Sequence, residues 1–283
     1  MKRLYMLSVI ATVFLINGCT AANSSPSHSA QPNKNVTNGQ SVETPSSSEQ
    51  SSVQGQAGTN ESKASVDPDL LLESKYWNVV KVQNGIKVIM NPSNILALVN
   101  KEQSLPATYK PADLVVPRVQ FSFAEKNVDK RYMRAEAAKA LEQLFAAAHQ
   151  AGIELVAASG YRSYERQKAL FDEEVKKGGR EEAVHAVAIP GQSEHQTGLA
   201  MDITSPSVNN ALTTAFGDTK EGKWVALHAH EYGFIIRYPK GKEAVTGYQY
   251  EPWHLRYVGK KAAKVIFEKG ITLEEYFRIV KKV

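Results

Sequence analysis

The stretch Gly191–Ile203 reads GQSEHQTGLAMDI. It sets a histidine and an aspartate seven residues apart, His195 and Asp202, with Ser193 before them and Gly198 between. Its second half alternates: Leu199, Met201 and Ile203 are large and apolar, and Ala200, Asp202 and Thr204 stand between them. Successive side chains of a strand point to opposite faces. GLAMDIT is therefore expected to be a strand that carries Asp202 on the face away from the large apolar residues. Gly198 is where the chain can bend to let His195 reach the same side. The spacing leaves two readings open: a pair of ligands to one ion, or a loop histidine beside an edge-strand acid.

The flanking sequence mixes helices and strands. YWNVVKVQNGIKVIM holds two β-rich runs about Gln83-Asn84-Gly85, a hairpin signal. LVNKEQSLPATYKPADLVVP, full of prolines and polar turns, reads as irregular. In RYMRAEAAKALEQLFAAAHQAG, residues Ala137, Leu141, Leu144, Phe145 and Ala148 recur on one face, which predicts a helix stopped at Gly152. IELVAASGY follows as a short buried strand, and YERQKALFDEEVKKGG as an amphipathic helix ended by Gly178 and Gly179. KWVALHAHEYG is expected to be helical, FIIRYP and YEPWHLRYVG to be strands. Two helices close the chain, the last opened by a capping box of Thr272 and Glu275. With no regular βα rhythm, the fold class is α+β.

The N-terminal part is of another kind. Lys2 and Arg3 precede a mostly apolar run, Leu4 to Ile16, of about thirteen residues. That is shorter than the roughly twenty a membrane span requires and suits a signal peptide over 1–18. The run leads into LINGC, which resembles a bacterial lipobox, with Cys19 as the lipidated residue. Cys19 is the only cysteine, so no disulfide forms within the chain. Residues 19–66, rich in Ser, Gln, Asn and Gly, bury too little apolar surface to offset their ordering entropy and read as a disordered tether. A folded domain over 67–283 is expected, with the role of 67–97 left open. The net charge of +5, two of which leave with the leader, is too small to argue nucleic-acid binding.

Chemistry-bearing residues recur in two further stretches. EPWHLRYVG places Glu251 three residues before His254. Two histidines and one carboxylate, His195, His254 and Asp202, match the three protein ligands of a catalytic zinc site with one open position. A carboxylate near such a site but outside the ligand set can move protons, and Glu251 is placed for it. In a straight strand residues three apart face opposite sides, so Glu251 and His254 share a site only if the strand departs from regular geometry near Pro252. SGYRSYERQ joins a strand to a helix, with Arg162 in the turn and Gln167 in the first turns of the helix. Arg162 can offer paired hydrogen bonds to a carboxylate; read alone, it is equally a solvated arginine at a helix start.

Taken in order, SGYRSYERQ, PGQSEHQTGLAMDI and EPWHLRYVG resemble the signature of the VanY-like zinc D-alanyl-D-alanine carboxypeptidases, a family that includes LD-carboxypeptidases and shares a fold with the Hedgehog signalling domain. The resemblance covers about Leu98 to Val283. It implies a single domain with an antiparallel sheet and flanking helices, and one Zn2+ held by His195, Asp202 and His254. Glu251 is implied as general base and acid, and Arg162 as the residue that binds and polarises the substrate. Ser193, Gln167, Tyr238 and Trp253 fall where the family lines its cleft. The resulting expectation is a lipid-anchored, monomeric zinc carboxypeptidase on the outer face of the cell membrane, removing the terminal D-alanine from peptidoglycan stem peptides. The D-alanyl-D-alanine bond is favoured, because Glu194 is the only evident spare acid to receive the amine of a longer side chain. LD-carboxypeptidase activity and a binding module without catalysis are the alternatives.

Overall fold

The computed structural model describes residues 67–283. The expected leader, Cys19 and the tether over 19–66 lie outside the described residues. Among the described residues no helix is long and apolar enough to cross a membrane.

The described chain begins with strand β1 (Leu71–Leu72) and a hairpin of β2 (Val80–Gln83) and β3 (Ile86–Ile89). The hairpin turns at Asn84 (φ 49°) and Gly85 (φ 78°), the two left-handed positions that a tight two-residue turn demands. Residues 98–117 are irregular apart from the two-residue strands β4 (Gln103–Ser104) and β5 (Leu114–Val115). Strand β6 (Met133–Arg134) pairs with β5 and runs into helix α1 (Ala135–Gln150). Gly152, with φ 71°, follows its end. Then come β7 (Val156–Ser159), α2 (Tyr164–Ala186), β8 (Ala200–Thr204), α3 (Lys220–His228) and β9 (Phe234–Tyr238). A single helical turn α4 (Glu243–Thr246), strand β10 (Glu251–Tyr257), helices α5 (Lys260–Lys269) and α6 (Leu273–Ile279), and strand β11 (Lys281–Lys282) complete the order.

The organising element is an antiparallel sheet in the order β7-β8-β10-β9. Its apolar face carries Met201, Ile203, Phe234 and Leu255 onto Ala137, Leu141 and Leu144 of α1, all fully buried. Truncating one such leucine to alanine costs roughly 2–5 kcal/mol. A second core packs α5 and α6, through Val265, Ile266, Leu273 and Tyr276, against Ile235, Leu72 and Leu96. This gives residues 67–97 a structural role: β1 pairs in parallel with the C-terminal β11 and seals the second core. The capping box of Thr272 and Glu275 opens α6 as the sequence indicates.

One helix departs from expectation. The stop at Gly178-Gly179 is there, since Gly179 has non-helical angles (φ 83°, ψ 172°), but helical structure resumes at once and continues to Ala186. A glycine in the left-handed region breaks one helix without preventing the next residues from starting another.

Candidate active site

Two of the proposed ligands meet through strand register. His254 of β10 stands directly opposite Asp202 of β8, so their side chains lie next to each other on the sheet face opposite the α1 core. Nδ1 of His254 is 3.0 Å from Oδ1 of Asp202. His195 arrives from the short 3-10 helix Glu194–Thr197, which Gly198 ends in the left-handed conformation (φ 67°). The positive φ favours glycine there, and a Cβ at 198 would also press on Leu114 Cδ2 at 2.9 Å. Nε2 of His195 reaches 3.4 Å from Oδ2 of Asp202. All three residues are buried, and their ligand atoms lie within 4.8 Å of one another.

The hydrogen bonds behind the rings fix which nitrogen faces inward. His195 Nδ1 donates to the carbonyl of Gly160 at 2.8 Å, which leaves the lone pair on Nε2 toward Asp202. His254 Nε2 donates to Oε2 of Glu194 at 3.4 Å, which leaves the lone pair on Nδ1. Oδ1 of Asp202 is buried and, despite its closeness to His254, accepts no hydrogen bond. Two imidazole lone pairs and an unpartnered carboxylate oxygen converging in a buried pocket form a donor set for a cation, and their two-nitrogen, one-oxygen chemistry fits zinc.

Glu251 shares this site because β10 is irregular where the sequence required it. Glu251 opposes Tyr238 and Leu255 opposes Ile236, a step of four residues on β10 against two on β9. The bulge turns Glu251 to the His254 side, with Oε2 3.8 Å from Nδ1. Burial raises the Glu251 carboxyl above its usual range, and Asp202 adds to this against the opposing pull of His254 and Arg162. Burial pushes His195 down to about 3, which keeps its ring neutral. Burial acts on His254 in the same sense, but the Asp202, Glu194 and Glu251 carboxylates around it outweigh that and push it up to about 10; without a cation the ring therefore carries a second proton on Nδ1, toward Asp202, and a cation bound there takes that proton's place.

The site opens into a cleft of about 510 Å³. Arg162, Ser193, Tyr238 and Trp253 all line it, together with the three ligands and Glu251. Trp253 also leans on the α1 core, and the Tyr238 ring packs on His254 with centroids 5.0 Å apart. Arg162 is anchored at its backbone, which donates to the His195 carbonyl at 3.2 Å, and its guanidinium reaches Ser159 Oγ at 3.4 Å. Desolvation lowers its pKa, against the favourable field of Asp202.

Gln167 is not a cleft-lining residue. It is 1 % exposed, and both ends of its amide are used inside the protein: Oε1 accepts from Arg162 Nη1 at 2.9 Å and Nε2 donates to the Ala188 carbonyl at 2.6 Å. It lies behind Arg162 and holds its guanidinium through that hydrogen bond. Glu194 also differs from the sequence reading. It is 1 % exposed, and its carboxylate is engaged by Arg237 and Arg256, not free for a ligand. Lys101, Glu243 and Tyr248 are among the residues of the cleft wall that sequence reasoning missed. They come from segments distant in sequence, and no local motif marks them.

Residues 130–260 match the family model VanY, D-alanyl-D-alanine carboxypeptidase. The chain is 61% identical over 212 residues to the protein named "Putative carboxypeptidase YodJ" of Bacillus subtilis (strain 168), covering 75% of this chain and 77% of the relative. It is 37% identical over 186 residues to the bifunctional D-Ala-D-Ala dipeptidase and carboxypeptidase VanXYC of Enterococcus gallinarum, covering 65% of this chain and 93% of that one. Among solved structures, the LdcB LD-carboxypeptidase, described with the basis of its peptidoglycan recognition, superposes with a TM-score of 0.74 at 61% identity. That match covers 76% of this chain and all of the other. A D,D-pentapeptidase VanY mutant in complex with Zn(II) superposes with a TM-score of 0.52 at 35% identity, covering 64% of this chain and 98% of the other. With its ordered motifs, its fold and these relatives, the chain belongs to the VanY family of carboxypeptidases.

Proposed function

We propose that this protein is a zinc-dependent LD-carboxypeptidase that removes the terminal D-alanine from peptidoglycan tetrapeptide stems. The observation that carries the choice of bond is the 61% identity over the whole of the LdcB LD-carboxypeptidase structure, against 35% for the D,D-pentapeptidase. The cleft supports it. The reason for favouring the D,D bond was the lack of a spare acid other than Glu194, yet the exposed Glu243 lines the cleft and can receive the distal amine of a diamino acid.

His195, Asp202 and His254 would hold the zinc, which when bound would supply a Lewis acid to acidify a water and polarise the scissile carbonyl. Glu251 takes the proton of the attacking water and returns it to the leaving amine; burial raises its carboxyl above the usual range, which strengthens it as a base. Arg162, aimed by Gln167, donates hydrogen bonds to the substrate where negative charge gathers. Ser193, Tyr238 and Trp253 shape the wall against which the peptide lies. The signal peptide, lipidated Cys19 and tether complete the proposal: an enzyme held on the outer face of the membrane, where its substrate lies.

Kinetics on tetrapeptide and pentapeptide muropeptides side by side test the bond. The expected outcome is a higher kcat/KM on the tetrapeptide. A higher value on the pentapeptide refutes the LD reading and supports the D-alanyl-D-alanine carboxypeptidase, leaving the zinc mechanism intact.

A further inference from the structure

We infer that Glu194 is the positioning residue that makes His254 a competent ligand, and that Arg237 and Arg256 hold the Glu194 carboxylate in the orientation this requires. The inference rests on the reading of His254 as a zinc ligand through Nδ1.

The two oxygens of Glu194 divide the work. Oε1 accepts from Nε of Arg237 at 2.7 Å and from Nη1 of Arg256 at 2.6 Å. Oε2 is left to His254 Nε2. Both arginines and the glutamate are fully buried at their side chains. Placing three charged groups in a core is costly unless each is paired, and each is. Arg237 spends its remaining nitrogens on Glu274 at 2.9 and 2.6 Å. Arg256 spends Nη2 on the carbonyls of Ile95 and Ala97, at 3.0 and 2.9 Å, and Nε on that of Tyr257. The cluster thus fixes one carboxylate oxygen rigidly and turns the other to the back of the ligand ring.

The consequence is tautomeric. An acceptor at Nε2 keeps the proton there and the lone pair on Nδ1, facing Asp202. A glutamine at 194 would invert this. Two guanidinium groups demand an acceptor, so the amide oxygen turns to Arg237 and Arg256 and the NH₂ group turns to His254. The ring must then accept at Nε2 and carry its proton on Nδ1, where it cannot bind metal. Glu274 provides the matched control, since it is buried in the same cluster on Arg237 and touches His254 nowhere.

The test measures zinc affinity by competition with a chromogenic chelator in Glu194→Gln, Glu274→Gln and wild-type protein. Glu194→Gln is expected to bind zinc ~10- to 100-fold more weakly, and Glu274→Gln within about threefold of wild type on the same scale. Equal weakening in both variants, or none in Glu194→Gln, overturns the inference. If Glu194→Gln does not fold, histidine ring ¹⁵N shifts of the zinc-loaded wild type decide: a protonated Nε2 and a metal-bound Nδ1 on His254 are expected, and the opposite assignment overturns the inference. His254→Ala serves as the separate check. Wild-type zinc affinity in that variant means that His254 is not a ligand, a failure of the zinc reading and not of Glu194 alone.

Discussion

Replacing Glu251 with glutamine is the sharpest probe of the mechanism, because the structure lets its side effects be bounded. The side chain is 29 % exposed, and its carboxylate stands 3.8 Å from His254 Nδ1, beyond hydrogen-bond length. Glutamine keeps the shape and removes a negative charge that Asp202 opposes. Stability should therefore change by no more than about 1 kcal/mol, and zinc, for which three other residues are the proposed ligands, should remain. What is lost is the proton acceptor. Losing general acid–base catalysis costs ~10²- to 10⁴-fold in rate, which at about 1.36 kcal/mol per decade is about 2.7–5.4 kcal/mol of barrier. The assay is D-alanine release from a tetrapeptide muropeptide, followed chromatographically, with zinc content and a thermal melt measured on the same sample. kcat and kcat/KM are expected to fall together with KM unchanged, since the acid acts in the transition state. Turnover within threefold of wild type, with full zinc, would refute the reasoning.

Other outcomes follow from the same geometry. Purified His195→Ala and His254→Ala proteins should lose zinc and activity together; full zinc in either, by metal analysis, removes that residue from the ligand set. Gln167→Ala breaks two buried hydrogen bonds, to Arg162 and to the Ala188 carbonyl, and should lower stability by about 1–3 kcal/mol in denaturant titration. It should also reduce kcat/KM while sparing zinc; unchanged kinetics would show that Arg162 needs no such support. Cys19→Ser should leave the membrane fraction or remain unprocessed, since lipid chains are expected to hold the mature protein; a processed, membrane-bound variant overturns the anchor.

By itself, the sequence determined most of the elements and named His195, Asp202 and His254, the three residues that the structure brings together as a candidate ligand set. Alternation in GLAMDIT placed Asp202 on the face away from the core, the Asn84-Gly85 turn fixed a hairpin, and the 3.6-residue spacing of apolar side chains fixed α1. It also implied that Glu251 and His254 require an irregular strand, and β10 has one between Glu251 and Leu255. These features are local: strand period, turn chemistry and helix period are set by neighbours within a few residues. The tertiary structure alone decided what stands behind the ligands. Nothing near Glu194 in the sequence says that it meets Arg237 and Arg256, 43 and 62 positions away, or that Gln167 turns inward to Arg162. A buried charge is tolerable only where its partners converge, and convergence across β9, β10 and the segment before β8 is a property of the assembled sheet. The cleft wall is of the same kind. Lys101, Glu243 and Tyr248 meet there because distant segments pack around one opening, so the side chains that face the substrate's length cannot be read from any one motif.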